Sequence, residues 1–364
     1  MNNLNKRQFV LTAGAAMAGL ALPLHAQTPT AGPKPYLADM HSHYGMFLPR
    51  LFGTDLKKHM LDTGTMLMAW SIVDDHRWIG RSGGAITQLS VPASGELWSF
   101  FQKRLAELGV QLQGWGVPLA RTAADVDATL AGVPHVLLAT EAANFLEGDI
   151  TRLATAHAAG VRHLQLVHYI QSPIGDHQTA EPQHGGLSAF GKQVVGECKR
   201  LGLVVDLAHG TPALVDAALD ASDAAMVWSH SWIRAQGGTW KDMGYIARAL
   251  SEAQAKKIAS RGGAVGLWTV RVNRDPHYPV YSVRTFADEM MRMCDLIGPG
   301  HVAFGTDMEG AGPGPILSNY VDLREVADNL AQRGLSEAQL QGLFIGNYAA
   351  IVKRAMHGTD RPVA

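Results

Sequence analysis

The sequence predicts a single (β/α)8 barrel of the TIM type, with a metal site at the C-terminal ends of its strands. Two observations carry that reading. The first is a recurring pattern in which a short apolar run ends in a metal-capable side chain. It occurs in Tyr36-Leu-Ala-Asp-Met-His-Ser-His43, His135-Val-Leu-Leu-Ala-Thr-Glu141, Leu164-Gln-Leu-Val-His168, Leu203-Val-Val-Asp-Leu-Ala-His209, Met226-Val-Trp-Ser-His230 and His301-Val-Ala-Phe-Gly-Thr-Asp307. Strands of a parallel barrel are buried on both faces, and their carboxyl ends form the rim that carries the chemistry. The second observation is the alternation of these runs with helix-like segments.

Strands are expected at 36–40, 65–73, 136–140, 164–167, 203–207, 225–228, 264–268 and 302–304, with an extra strand possible at 110–117. Apolar residues at three-to-four spacing predict helices at 94–108, 187–201, 211–221, 251–261 and 285–297. Ser251-Glu-Ala-Gln254 and Ser336-Glu-Ala-Gln339 have the form of capping boxes. An open doubly wound sheet would show a glycine-rich phosphate turn after its first strand; here that turn reads His-Ser-His-Tyr-Gly45.

The chain has 364 residues, 47% of them hydrophobic, and a formal net charge of −1. Near-neutral charge gives no electrostatic reason to expect nucleic acid as a partner. Beyond the N-terminal region no apolar run is long enough to span a bilayer, so no stable membrane anchor is expected. Lys6-Arg7 followed by an apolar stretch from Phe9 to Leu24 and a small residue, Ala26, reads as a signal peptide over residues 1–26. Asn5-Lys-Arg-Gln-Phe-Val10 resembles a twin-arginine signal with Lys in place of the first Arg. Residues 27–35 read as a linker, 36–357 as the barrel and 358–364 as a tail, which implies a periplasmic or secreted protein. Cys198 and Cys294 fall among apolar neighbours without metal-ligand spacing and read as buried thiols.

His41 and His43 are separated by one residue, so on a strand both reach one ion. Imidazole suits zinc and similar divalent metals. Glu141, His209, His230 and Asp307 add two imidazoles and two carboxylates at other strand ends. That donor count suits two divalent ions, zinc first among them, sharing a bridging carboxylate.

These residues lie in stretches that resemble the membrane (renal) dipeptidase family, peptidase family M19, of the amidohydrolase superfamily. Gly186-Leu-Ser-Ala-Phe-Gly through Val205-Asp-Leu-Ala-His209, Ser229-His-Ser231, Gly305-Thr-Asp-Met-Glu-Gly310 and Gly346-Asn347 carry the resemblance, which runs from about Asp39 to Met356. The resemblance implies a metal-dependent hydrolase that cleaves dipeptides or related small amides with a metal-activated hydroxide. It places metal ligands at His41, His43, Glu141, His209, His230 and Asp307, with Asp307 also shuttling a proton. It places His168 at the substrate and the developing oxyanion, and Arg248 on a substrate carboxylate. Trp232, directly after the Ser-His-Ser motif, is a further candidate for substrate contact. The chain departs from the family in three places: His43 stands where an Asp is usual, Arg248 is followed by Ala249 rather than Asn, and the loop 232–245 is altered. A changed substrate (an ester, a lactone or a secondary metabolite in maturation) or a non-hydrolytic role is the alternative. The partner expected is a small-molecule substrate, and a homodimer is left open. The other histidines, His59, His76, His157, His163, His177, His184, His277 and His357, read as surface or structural.

Overall fold

Eight parallel strands close on themselves in a computed structural model of the chain, which describes residues 35–46, 55–242, 244–270, 278–310, 317 and 319–357. The expected signal peptide, the tail and all of the linker but Pro35 lie outside the described residues, as does His277. The barrel belongs to the unit Lys34–Ala364. Its strands are β1 (Leu37–Ser42), β2 (Thr65–Val73), β3 (His135–Glu141), β4 (Val161–Gln165), β5 (Val204–Asp206), β6 (Val227–Ser231), β7 (Ala264–Leu267) and β8 (Val302–Phe304). Each pairs in parallel with its neighbours in sequence, and β8 returns to β1 to complete the ring.

Every expected strand is present; 65–73 and 302–304 have the expected bounds, and the others have shifted ends. The fourth begins at Val161 rather than Leu164, because Val161 and His163 pair with β3 ahead of the apolar run. The possible extra strand at 110–117 is corrected: residues 110–115 are the last turns of helix α2 (Glu96–Trp115), since α1 spans Leu56–Thr63. The stretch Gly109-Val-Gln-Leu-Gln alternates like a strand. However, Leu112 continues the buried stripe of Phe101 and Leu108, and Val110 faces solvent. Gly116, at φ 62°, ends this helix in the left-handed conformation that glycine adopts without strain.

Helix formation elsewhere follows local chemistry. Both expected capping boxes are formed, at Ser251–Gln254 and Ser336–Gln339. Thr122 caps α3 (Ala123–Leu130) in the same way through Asp125, a box the sequence reading passed over. The helices α4 (Thr151–Ala159), α5 (Ala189–Leu201), α6 (Pro212–Ala221), α7 (Glu252–Ser260) and α8 (Val283–Ile297) surround the barrel. The chain then adds α9 (Leu323–Gln332), α10 (Glu337–Gln341) and α11 (Asn347–His357). Cys198 and Cys294 are buried and free of any disulfide.

The barrel interior is a packed core. Leu67 and Ala69 of β2, Leu137 and Ala139 of β3, Val204, Val227, Ala264 and Ala303 pack with Ile345, Tyr348, Ala349 and Val352. The start of α11 therefore fills the barrel from its amino-terminal mouth. Strand residues alternate between faces, so Ser71, Val73 and Glu141 share this inward face further along β2 and β3. A small antiparallel hairpin follows β2, with Ile79–Ser82 paired to Ala85–Gln88. Its turn residues Gly83 and Gly84 both have positive φ, as the tightest hairpin turns require.

Ring closure between β8 and β1 is fastened by a buried carboxylate. Asp39 accepts from the backbone N–H of His41 at 3.1 Å and of Thr306 at 2.9 Å, from the Thr306 hydroxyl, and from the Tyr320 hydroxyl at 2.6 Å. Asp39→Ala would leave these donors unsatisfied in a dry interior. A loss of roughly 3 kcal/mol or more in unfolding free energy is expected, at about 1–3 kcal/mol per abandoned group. Urea unfolding of wild type against the variant checks this; a loss under about 1 kcal/mol would show that closure does not depend on Asp39.

Candidate metal centre and active site

Six of the residues singled out as metal ligands reach the same rim from five strand ends. His41 lies in β1 and His43 one residue past it, Glu141 ends β3, His209 follows β5, His230 lies in β6, and Asp307 follows β8. Around Glu141 they converge. Its Oε1 lies 3.5 Å from His41 Nε2, 3.3 Å from His209 Nε2 and 3.6 Å from His230 Nε2. Its Oε2 lies 3.2 Å from His43 Nε2. Asp307 Oδ1 stands 3.4 Å from His43 Nε2 and 4.0 Å from His41 Nε2. Three groups of donor atoms lie close enough to hold an ion: His41–His43–Glu141 and Glu141–His209–His230, joined by one carboxylate, and His41–Asp206–His230.

Within each of the two joined groups two imidazole nitrogens point at one another. His41 Nε2 and His43 Nε2 are 3.1 Å apart, and His209 Nε2 and His230 Nε2 are 3.3 Å apart. Two ligands bound tetrahedrally to one zinc at its usual nitrogen distance would be about 3.3 Å apart. The outer nitrogens are mostly engaged. His43 Nδ1 meets the Ser71 carbonyl at 2.8 Å, His41 Nδ1 the Ser71 hydroxyl at 3.3 Å, and His230 Nδ1 the Ser229 hydroxyl at 2.7 Å. A carbonyl only accepts, so His43 keeps a proton on Nδ1 and, when neutral, turns a bare Nε2 inward. Ligating histidines are commonly oriented by such outer hydrogen bonds. The donor set, its spacing and its orientation fit a pair of divalent cations held by these six residues.

Electrostatics divides the rim. Burial alone would depress the His43 imidazole, but Asp307 and Glu141 outweigh it and push its pKa up to about 10. Burial would likewise raise Glu141, yet His168 and His41 beside it hold its carboxyl well below the usual range. His209 and His230 are held well below the ordinary histidine value, by burial first, with Arg248 and neighbouring histidines adding to it. One side of the centre thus gathers two carboxylates around its histidines, while the imidazoles of the other are kept neutral beside the Arg248 guanidinium.

The backbone is strained where the ligands emerge. His209 (φ 68°), Asp307 (φ 53°), Ala142 (φ 86°) and Glu309 (φ 67°) all occupy the left-handed region, at a cost of about 1 kcal/mol or more each. Gly310 is required beside them, since a Cβ there would stand 2.0 Å from Asp307 Oδ1.

His168 and Arg248 also reach this rim. His168 Nε2 is 3.2 Å from Glu141 Oε1, and its Nδ1 is 2.7 Å from Asp75 Oδ1. Burial opposes charge on His168, but Asp75 and Glu141 push its pKa up to about 10. Arg248, on the 3-10 turn Gly244–Arg248, is 1% exposed. Its Nη1 lies 2.6 Å from His209 Nε2, its guanidinium faces the Trp268 ring at 5.5 Å, and its Nε has no partner. Among the described residues Arg248 has no carboxylate partner. Trp232 is placed elsewhere than expected. It is fully buried and stacks behind Trp268 at 5.4 Å, and it is Trp268 that lines the cavity.

The cavity over these groups measures ≈ 120 Å³, well below the ~300–1,000 Å³ of drug-sized ligand sites. Its apolar side includes Val73, Ile79, Ile86, Tyr245 and Trp268.

Several contributors escaped the sequence reading. Asp75 orients His168, and Asp74 accepts from Asn144 and from the Phe145 amide. Both directly follow β2, so the strand-end rule would have found them had it been applied to Val73-Asp-Asp-His76. His163 is structural but deeply buried, joined to the Tyr348 hydroxyl at 2.6 Å and to Asp206 at 3.2 Å.

A closed parallel barrel with imidazole and carboxylate groups gathered on its C-terminal rim is an amidohydrolase-like architecture. The sequence profile described as Membrane dipeptidase (Peptidase family M19) matches residues 110–361, and the chain belongs to that family. Dipeptidase aclJ of Aspergillus oryzae is 28% identical over 232 residues, covering 61% of this chain and 51% of that protein. Dipeptidase 3 of Homo sapiens is 25% identical over 224 residues, covering 60% of this chain and 44% of that protein. The chain thus spans about half the length of the curated relatives it matches. The fold is shared with a metallo peptidase from Rhodobacter sphaeroides, liganded with a phosphinate mimic of the dipeptide L-Ala-D-Ala. That structure has a TM-score of 0.72 at 19% identity and covers 89% of this chain and 100% of its own. Dipeptidase AC gives a TM-score of 0.71 at 20% identity over 89% of this chain and 99% of that one.

Outer hydrogen bonds commonly contribute about 10–100-fold to metal affinity. Ser229→Ala, which frees His230 Nδ1, is therefore expected to weaken zinc binding by about tenfold, and Glu141→Gln by more, because both joined groups lose a ligand. Competition against a chromophoric chelator measures this. Wild-type affinity in Glu141→Gln would remove the shared carboxylate from the centre.

Proposed function

We propose that the chain is a metal-dependent hydrolase of dipeptides or closely related small amides, using two divalent ions, zinc first among them. The observation that carries this reading is one carboxylate shared by two histidine pairs, with a buried arginine beside it that has no carboxylate partner among the described residues. A guanidinium removed from water with only an imidazole nitrogen and a carbonyl oxygen as partners is costly, and a ligand carboxylate is the partner that satisfies it bidentately. Such an anion would also draw Arg248 away from His209 Nε2, releasing that nitrogen toward Glu141.

Metal ions bound in such a pair supply Lewis acidity and lower the pKa of water to about 7. The protein's residues do the rest. Arg248 holds the substrate carboxylate and so fixes the scissile carbonyl over Glu141. His168, kept in place and protonated by Asp75, donates to the carbonyl oxygen as negative charge develops there. Asp307 faces the attacking water, takes its proton and returns it to the leaving amine. The tight cavity, roofed by isoleucine and tryptophan, limits access to small substrates.

We further propose that the protein acts in the periplasm or outside the cell, on the strength of Lys6-Arg7 and the apolar stretch ending near Ala26. Its partner is a small molecule. The alternative of an ester, a lactone or a non-hydrolytic role draws on His43 and the altered loop 232–245.

The test is a panel of dipeptides of mixed chirality, with small amides, esters and lactones, offered to zinc-loaded protein. Asp307→Asn is expected to lose about 10²–10⁴-fold in kcat, the span typical of a general acid–base group. Arg248→Ala is expected to lose about 30-fold or more in kcat/KM, as when one partner of a buried charge pair is removed. Turnover near wild type in metal-loaded Asp307→Asn would exclude it as proton carrier. Failure of the wild type on every amide, ester and lactone would favour the non-hydrolytic reading.

A further inference from the structure

The hairpin after β2 forms part of the cavity wall. Ile79 is paired with Gln88 and Arg81 with Ile86. Opposed residues of an antiparallel pair share a face, so all four side chains project from one side of the hairpin. Both isoleucines line the cavity. Their two polar neighbours pin the hairpin across it: Arg81 Nη2 donates to the Tyr245 hydroxyl at 3.2 Å, and Gln88 Oε1 accepts from the Gln171 amide at 3.0 Å.

The two isoleucines differ in their surroundings. Ile79 packs against the small cluster of Trp78, Leu97, Phe100 and Ile170. Ile86 joins none of the apolar clusters among the described residues, although it is half-buried and faces the cavity. It lies on the turn side of Ile79. The turn itself lies against Gly244, where an added Cβ would be 3.6 Å from the Gly84 carbonyl oxygen. Gly244 opens the short turn that carries Tyr245 and Arg248. Ile86 and Arg248 both line this cavity, Ile86 from the strand that packs against the turn carrying Arg248.

We propose that Ile86, with Ile79 behind it, selects substrates whose carboxyl-terminal residue carries an uncharged aliphatic side chain. The inference rests on the dipeptide reading and on Arg248 as the carboxylate holder. A carboxylate on Arg248 fixes the α-carbon one bond away, and the side chain on that carbon meets the isoleucine wall. An aliphatic side chain gains by leaving water there. A charged one loses its hydration and finds no hydrogen-bonding partner on Ile86.

The experiment compares Ala-Leu, Ala-Gly, Ala-Asp and Ala-Lys as substrates of zinc-loaded wild type, Ile86→Ala and Ile86→Val. In parallel, binding of the phosphinate analogues of Ala-Leu and Ala-Asp is measured by calorimetry. Wild type is expected to prefer Ala-Leu to Ala-Asp and Ala-Lys by at least about tenfold. The loss for Ala-Leu in Ile86→Ala should exceed the loss for Ala-Gly by about tenfold, within the range of small apolar contacts in a pocket, with Ile86→Val intermediate. Equal use of leucine and aspartate by wild type, or equal losses for Ala-Leu and Ala-Gly in Ile86→Ala, would overturn the proposal while leaving dipeptide hydrolysis standing. If no dipeptide is cleaved, the dipeptide reading fails. The subsite then stands if the Ala-Leu phosphinate binds more tightly than the Ala-Asp one and Ile86→Ala removes that margin; it falls if the two analogues bind alike or neither binds.

Discussion

A single carboxylate organises the rim of this barrel. Five imidazoles stand within 3.6 Å of one or the other oxygen of Glu141. A buried carboxylate is stable only when opposite charge or hydrogen-bond donors compensate its lost hydration, and here the compensation comes from strands distant in sequence. His41 and His43 come from the start of the chain, His209 and His230 from its middle. The inward orientation of Glu141 follows from the alternation that puts Leu137 and Ala139 in the barrel core.

Placing so many polar groups in one buried cluster demands rigid support. Outer contacts supply it: Ser71 serves both His41 and His43, Ser229 serves His230, and Asp75 serves His168. Asp39 does the same for the frame, tying β1 to the segment that leads into Asp307. The left-handed backbone at His209 and Asp307 shows the opposing force. These residues are held in costly conformations because the surrounding hydrogen bonds leave them no other, as with the Asp307 amide donating to the His41 carbonyl at 3.0 Å.

The strands, and the gathering of six donor side chains at one rim, were legible because each rests on a local signal: a Val- and Leu-rich run, then a donor residue. The place of Arg248 at this rim followed from the family resemblance. Features that depend on tertiary contact were not. Nothing in Trp232's neighbourhood distinguishes a residue that lines the cavity from one that stacks behind such a residue, so Trp268 took the place expected for it. His163 carries no strand-end signal because it lies within β4, and its partners Tyr348 and Asp206 are 185 and 43 positions away. The hairpin at 79–88 is short and marked mainly by its glycine pair, and its function depends on which face turns inward. Residues 110–115 misled because a helix with polar residues at alternate positions imitates a strand over a few residues.

The filling of the barrel's amino-terminal mouth by α11 has a consequence for the order of assembly. Tyr348 reaches His163, and His163 reaches Asp206, whose side chain hydrogen-bonds the Ser229 amide beside His230. The floor beneath the rim is thus built from residues that follow all eight barrel strands in the chain. Until they dock, the barrel has an open base and the histidines above it lack their backing. Assembly of the rim therefore waits on the docking of α11, so a cation that meets the chain before that step would encounter separate side chains rather than a formed cage.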